Sequence, residues 1–225
     1  MSDSRASRKR AIEPVVQVST PSIIASKVRQ AIAHGEFVPG QQISEAALAS
    51  RLGVSRGPLR EGMQRLTQEG LLISIRNRGL FVIEMTPENV RDMYVAREAV
   101  ERAAAACVHR RNHTAAGAAL GVAVDSMAGA AAAGDDVAVS EHDVEFHEVL
   151  VAHAESPRLA RFHETLLTET RMCVHALEDT YDSPGTRVAE HRAIADAIAA
   201  NDPDLTDRLL IMHMADAVER LTRRD

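Results

Sequence analysis

Asp143 and His147 stand four residues apart, so on a helix they share one face, with Leu150 beside them. His191 lies on the face of Val188, Ile194, Ala195 and Ile198, and His213 lies with Leu210, Met214 and Ala217. A lone histidine on an apolar face is usually a satisfied core residue. Three histidines and a carboxylate pointing into one bundle from three helices call for a common partner, because each buried polar group left unpaired costs about 1–3 kcal/mol. A divalent metal ion supplies it. Mixed imidazole and carboxylate ligation suits zinc, nickel, iron or manganese without choosing among them.

A second chemistry sits near the N-terminus, in Leu48-Ala49-Ser50-Arg51-Leu52-Gly53-Val54-Ser55-Arg56 followed by Gly57-Pro58-Leu59-Arg60-Glu61. Gly53 permits a tight turn, Val54 plugs the core between two helices, and Ser55 caps the second of them, leaving free N–H groups for a phosphate. Arg56 and Arg60 share a face beside the apolar stripe of Leu59, Met63 and Leu66, where each is suited to two hydrogen bonds with a guanine edge in the major groove. Further on, Arg76-Asn77-Arg78-Gly79 makes a basic turn, and Gly79 gives the backbone close access to a minor groove or phosphate. Ser55, Arg56, Gly57, Arg60, Asn77, Arg78 and Gly79 are therefore the expected contacts to double-stranded DNA. The competing use of Arg60 is an ion pair with an acid of the scaffold.

The elements that must position these groups are legible in the caps. Residues 1–20 mix Ser, Arg, Lys and Pro without periodicity and read as a flexible arm. Ser22 reads as the cap of a helix reaching His34, Ser44 caps a short helix stopped by Gly53, and Ser55 opens a third that Gly70 ends. Two β-rich runs, Leu71–Ile75 and Leu80–Ile83, flank the basic turn, which completes a winged helix-turn-helix over residues 21–84. Thr86-Pro87 opens a second domain, residues 85–225. Ser156-Pro157, Ser183-Pro184 and Asp202-Pro203 repeat the device, while Thr114 and the break at Gly134-Asp135-Asp136 supply the remaining starts. Six helices are predicted near 87–111, 114–133, 137–154, 157–180, 184–200 and 203–223. The fold class is thus mainly α, a winged helix-turn-helix followed by an all-α antiparallel six-helix bundle.

Charge separates the same two parts. The net charge of −6 over 225 residues hides 12 basic against 7 acidic residues up to Glu84 and 14 against 25 beyond it. A basic head on an acidic body docks on a polyanion by one face. The stretch free of charge from Asn112 to Val124 is shorter than the roughly 20 apolar residues of a membrane span, so no transmembrane helix is expected. No apolar run follows the basic N-terminus, which points to the cytoplasm. Cys107 and Cys173 lie in helical text without a C-x-x-C pair and read as buried thiols. With no Trp and 3% aromatic residues, stacking platforms for single strands are not expected.

Between Glu36 and Gly79 the segments Glu36-Phe37-x-Pro39-Gly40, Ile43-Ser44-Glu45-x-x-Leu48-Ala49, Leu52-Gly53-Val54-Ser55-Arg56-x-Pro58-Leu59-Arg60-Glu61, Leu66-x-x-Glu69-Gly70-Leu71 and Arg78-Gly79 resemble the signature of GntR-family transcription regulators. Downstream, Arg97-x-x-Val100-Glu101, Asp143-x-x-Phe146-His147, Ser156-Pro157-Arg158-Leu159, Glu190-His191-Arg192-x-Ile194-x-x-Ala197-Ile198 and the late His213 resemble the ligand-binding FCD domain of the FadR subfamily. Six body helices look like its VanR-type variant. Ser156 stands where Asn is usual, and Val100 where Leu is.

The resemblance implies a metal held by Asp143, His147, His191 and His213 in a cavity that senses a small organic acid. It places Arg97 where it could pair with the effector carboxylate, with an ion pair to Glu101 as its competing use and Arg171 as a second candidate. Two heads one helical turn apart match a two-fold DNA site, so a homodimer on a palindromic operator is expected, with an acid in the cavity shifting the spacing of its heads. Two rivals are a metalloenzyme fused to a DNA-binding head, for which no general base stands at motif spacing, and a constitutive DNA binder with a purely structural metal. The protein is expected not to be an enzyme.

Overall fold

The computed structural model describes residues 19–174 and 184–223. The expected N-terminal arm falls largely outside them, as do residues 175–180 of the expected fourth body helix.

Helix α1 (Thr20–Ala33) turns Ile24, Ala25, Val28 and Ile32 inward at helical spacing. Its cap is Ser19, not the expected Ser22: the Ser19 hydroxyl accepts from the Ser22 N–H, and Pro21 sits in the first turn where it loses no bond. After β1 (Gln42–Ile43), α2 (Glu45–Leu52) is capped by Ser44 and stopped by Gly53 at φ +65°. Helix α3 (Arg56–Gln68) buries Leu59, Gly62, Met63 and Leu66. A Cβ on Gly62 would lie 2.9 Å from Ile24 Cγ2, so the absent side chain lets α3 approach α1 closely. Ser55 occupies the cap position of α3, but its hydroxyl makes no capping bond and stays exposed.

Strands β2 (Leu72–Ile75) and β3 (Gly79–Val82) form the expected hairpin, with Leu72 opposite Val82. β1 adds to the outer edge of β3, Ile43 opposite Leu80, giving the antiparallel order β1-β3-β2. Two residues carry too little periodicity to announce a strand. Ile24, Val28, Leu59, Met63, Leu66, Leu71 and Val82 join in one core under this wing.

Among the described residues six helices follow: α4 (Pro87–Arg111), α5 (His113–Ala133), α6 (Asp136–His153), α7 (Pro157–Cys173), α8 (Pro184–Ala199) and α9 (Pro203–Thr222). Side-chain oxygens of Thr86, Asn112, Asp135, Ser156 and Asp202 accept from the third N–H of α4, α5, α6, α7 and α9 respectively. Asn112 therefore starts α5 in place of Thr114: its side-chain oxygen, two residues earlier, accepts from the Ala115 N–H. Ala104, Val108, Leu120, Val124, Phe146, Leu150, Ile194, Ile198 and Leu210 fill the main core. Cys173 is buried and Cys107 partly so, and neither is bonded to another cysteine.

Helix α5 corrects the membrane argument. By length and composition it is apolar enough to cross a bilayer, since Asp125 is its one acidic or basic residue. It packs instead between α6 and α8, burying Ala116, Gly117, Leu120, Ala123, Val124 and Met127. A Cβ on Gly117 would lie 2.7 Å from Ala199 Cα, which shows how closely α5 meets the end of α8.

Candidate functional site

Two polar regions stand out, one outside the head and one inside the body. On the head, Ser55, Arg56, Gly57 and Arg60 at the start of α3 and Asn77, Arg78 and Gly79 at the hairpin tip are all exposed. Asn77 adopts φ +62° and Gly79 φ +100°, so the tip is a tight left-handed turn. The Arg78 guanidinium lies 5.2 Å above the Phe81 ring, and the Gln42 side-chain amide donates to the Arg78 carbonyl. The missed strand β1 thereby braces the wing. Arg60 Nε donates to Glu45 Oε2 at 2.9 Å, the scaffold pair foreseen as its competing use. An ion pair this exposed contributes about 0.2–1 kcal/mol and is readily exchanged for another partner.

In the body, Arg97 and Glu101 on α4, Ser140, Asp143 and His147 on α6, His163 on α7, Arg187 and His191 on α8, and His213 on α9 are all buried. His147, His191 and His213 each present one ring nitrogen within 4.8 Å of the other two. Their second nitrogens decide which lone pairs remain. His147 Nδ1 bonds Glu101 Oε2 at 2.6 Å, and His191 Nδ1 donates to the Arg187 carbonyl at 2.8 Å. His213 Nδ1 lies 3.4 Å from Glu190 Oε2, although neither atom completes a hydrogen bond. With the protons of His147 and His191 on Nδ1, their Nε2 lone pairs face inward, as outer partners of a metal site commonly arrange.

The inner face then brings three ring nitrogens close together. His147 Nε2 and His213 Nε2 stand 3.2 Å apart, and His191 Nε2 is buried without a hydrogen bond, 3.3 Å from Asp143 Oδ2. Three buried imidazole nitrogens within 4.8 Å of one another, one of them without a hydrogen bond and beside a carboxylate, fit a divalent metal.

Electrostatics keep the ligands ready. Burial, and then the charge of Arg97, lowers His147 to about 3. Burial lowers His191 to about 4, with Asp143 working against that shift. Both rings are therefore neutral at pH 7, the state that coordinates. Burial would raise Asp143 and Glu101. Arg187 and the histidines hold Asp143 well below the carboxylate range, and His147 and Arg97 do the same for Glu101.

The four expected ligands are not equivalent. The three histidines cluster, whereas Asp143 stands at their edge with Oδ2 accepting from Arg187 Nε at 2.7 Å. Arg97 has taken its competing partner, donating from Nε to Glu101 Oε1 at 2.7 Å, while its Nη2 is buried without a hydrogen bond. Arg171 does not reach this interior. It is partly exposed on the α6–α7 surface, paired with Glu148 at 2.9 Å and Glu141 at 3.7 Å, because its position turns it toward the acids of α6. Sequence reading missed Arg187 and gave Glu101 only as a partner for Arg97. His163, which no spacing singles out, is buried with Nε2 3.0 Å from Glu101 Oε1. The i, i+4 step from Arg187 to His191 was the available signal, obscured because an arginine reads by default as a solvated residue.

Residues 22–82 match the family model for bacterial regulatory proteins of the gntR family, and residues 92–216 match the model for the FCD domain. A Paenarthrobacter nicotinovorans protein named for repression of a D-xylose utilization operon is 31% identical over 201 residues, spanning 87% of this chain and 88% of its own. The galactonate operon transcriptional repressor of Escherichia coli is 26% identical over 212 residues, spanning 84% and 91%. Among solved structures, a GntR regulator from Rhodococcus sp. RHA1 superposes with a TM-score of 0.73 at 28% identity, covering 91% of this chain and 98% of that one.

Proposed function

Since this chain belongs to the GntR family of bacterial regulatory proteins, with an FCD domain behind its DNA-binding head, we propose how its two polar regions work together. The protein is a DNA-binding transcriptional regulator and not an enzyme. It binds a palindromic operator as a homodimer in the cytoplasm, with α3 in the major groove and the wing on the flanking minor groove. Arg56 and Arg60 read base edges. Arg78, with Asn77 and Gly79, follows the backbone. In the body, His147, His191 and His213 hold a divalent metal, with Asp143 the fourth candidate ligand, and the occupied centre receives a small carboxylate that Arg97 helps to bind. The E. coli relative is named for galactonate, a sugar acid, which supports this ligand class.

The observation that carries the reading is the buried cluster of three histidine nitrogens, with α7 holding polar contacts to it at His163 and to the head at the neighbouring Glu164. Glu101 bonds His147 and His163. Next to His163, Glu164 accepts from Arg29 Nη1 of α1 at 2.8 Å, and Arg29 Nη2 donates at 2.7 Å to Glu69, the C-cap of α3. A ligand moves the heads only by binding one arrangement more tightly than the other, and this series gives α7 a grip on the DNA-reading helix.

The test uses a duplex selected by the protein from a random library, followed by fluorescence anisotropy with metal-loaded protein and a panel of sugar acids, hydroxy acids and dicarboxylates. At least one acid should change the affinity for the duplex, and Arg56→Ala should weaken binding. Failure to select any duplex contradicts DNA reading, and a constant affinity across the panel contradicts acid sensing. A thermal shift separates a purely structural metal, which would raise the melting temperature with no further rise from any acid.

A further inference from the structure

Arg187 touches two of the four candidate ligands by different means. Its carbonyl accepts from His191 Nδ1 at 2.8 Å, which leaves the His191 Nε2 lone pair facing the centre. Its guanidinium donates from Nε to Asp143 Oδ2 at 2.7 Å and from Nη1 to Ser140 Oγ at 3.2 Å. The pair is buried, with Arg187 2% and Asp143 5% exposed at the side chain. Asp143 is thus claimed by a fixed cation before any metal arrives, and it is the one candidate ligand outside the three-histidine group.

We propose that Arg187 sets the metal preference of this centre by withholding Asp143, so that three imidazoles dominate the donor set. This rests on the metal reading given above and goes beyond it. Nitrogen-rich sites favour nickel, copper and zinc. Oxygen donors are what manganese and magnesium require, and a carboxylate with both oxygens free serves those ions best. With Oδ2 bound to a guanidinium, Asp143 has at most one oxygen to offer and a reduced negative charge at it. Arg187 also places a positive charge beside the site, which opposes every dication alike. Only the claim on Asp143 discriminates between them. Arg187 is therefore a specificity-determining residue that touches the ligands without being one.

The experiment measures dissociation constants for Ni2+ and Mn2+, by competition with a chromophoric chelator, in wild-type full-length protein, Arg187→Gln and Asp143→Asn/Arg187→Gln. In Arg187→Gln, Asp143 is released and the backbone contact to His191 is kept. The Mn2+ constant should fall by about tenfold more than the Ni2+ constant, the lower end of the range seen when an outer partner of a ligand is changed. The double variant removes the freed carboxylate together with the guanidinium that held it, and should return the ratio to the wild-type value. An unchanged ratio in Arg187→Gln, or an equal weakening of both metals, would make Arg187 structural and overturn the proposal while leaving the metal centre standing. Wild-type protein that binds neither ion would overturn both.

Discussion

The head and the body use the same side chain in opposite surroundings. Arg56, Arg60 and Arg78 project from the head into solvent, Arg60 with its side chain 67% exposed, while Arg97 and Arg187 lie at 1% and 2% inside the body. An exposed guanidinium interacts weakly and is screened by salt, so it suits a partner such as DNA that supplies many phosphates at once. A buried one cannot shed its charge and is held by carboxylates: Glu101 for Arg97 and Asp143 for Arg187. The head is thus built to exchange partners, and the body to keep a fixed set in which one change affects every neighbour.

Substitutions should divide along that line. Glu101→Ala removes the acceptor shared by Arg97, His147 and His163 and leaves a buried guanidinium uncompensated. Urea unfolding should show a loss of about 3–5 kcal/mol, the range for breaking a buried ion pair. A smaller loss would mean that water reaches the interior. His213→Ala should weaken metal binding in a chelator competition by more than the roughly 100-fold upper range for outer partners, with operator recognition by the head intact. Arg56→Ala should cost about 1–3 kcal/mol of duplex affinity and relax the preference at one base pair, with metal affinity unchanged. If Arg56→Ala instead altered metal binding, the two regions would not be separable in the way their burial suggests.

Acid should destabilise the body. His147 and His191 have folded values near 3 and 4 against an ordinary 6.5, so between those limits the unfolded chain binds protons that the folded chain does not. Stability of metal-free protein therefore falls as pH drops from about 6.5 toward about 4. Urea midpoints at a series of pH values should show this slope in the wild type and a shallower one in His147→Gln. The smallest effect is expected for Arg171→Ala, whose ion pairs with Glu148 and Glu141 lie at the surface. A change beyond about 1 kcal/mol in its unfolding free energy would mark that surface as more than solvated.

The contrast also explains what the sequence made legible. Capping residues, the Gly53 turn and apolar stripes are local signals, and they announced the helices that carry both regions. Asp143 and His147 could be placed on one face because they share a helix. The claim of Arg187 on Asp143 joins α8 to α6, and that of Glu101 on His147 joins α4 to α6. No spacing rule spans such pairs, so Arg187 was not singled out and Glu101 was seen only as a partner for Arg97. Arg171 shows the complementary case: it lies on α7 as expected, but the side of that helix facing the interior is fixed by packing against α4 and α6.

The central claim is that the buried histidines form a metal centre, and elemental analysis of untagged protein after dialysis against Ni2+ tests it most directly, wild type beside His191→Ala. The account predicts close to one metal per chain in the wild type and loss of most of it in the variant. No metal in either protein, or equal metal in both, would contradict it.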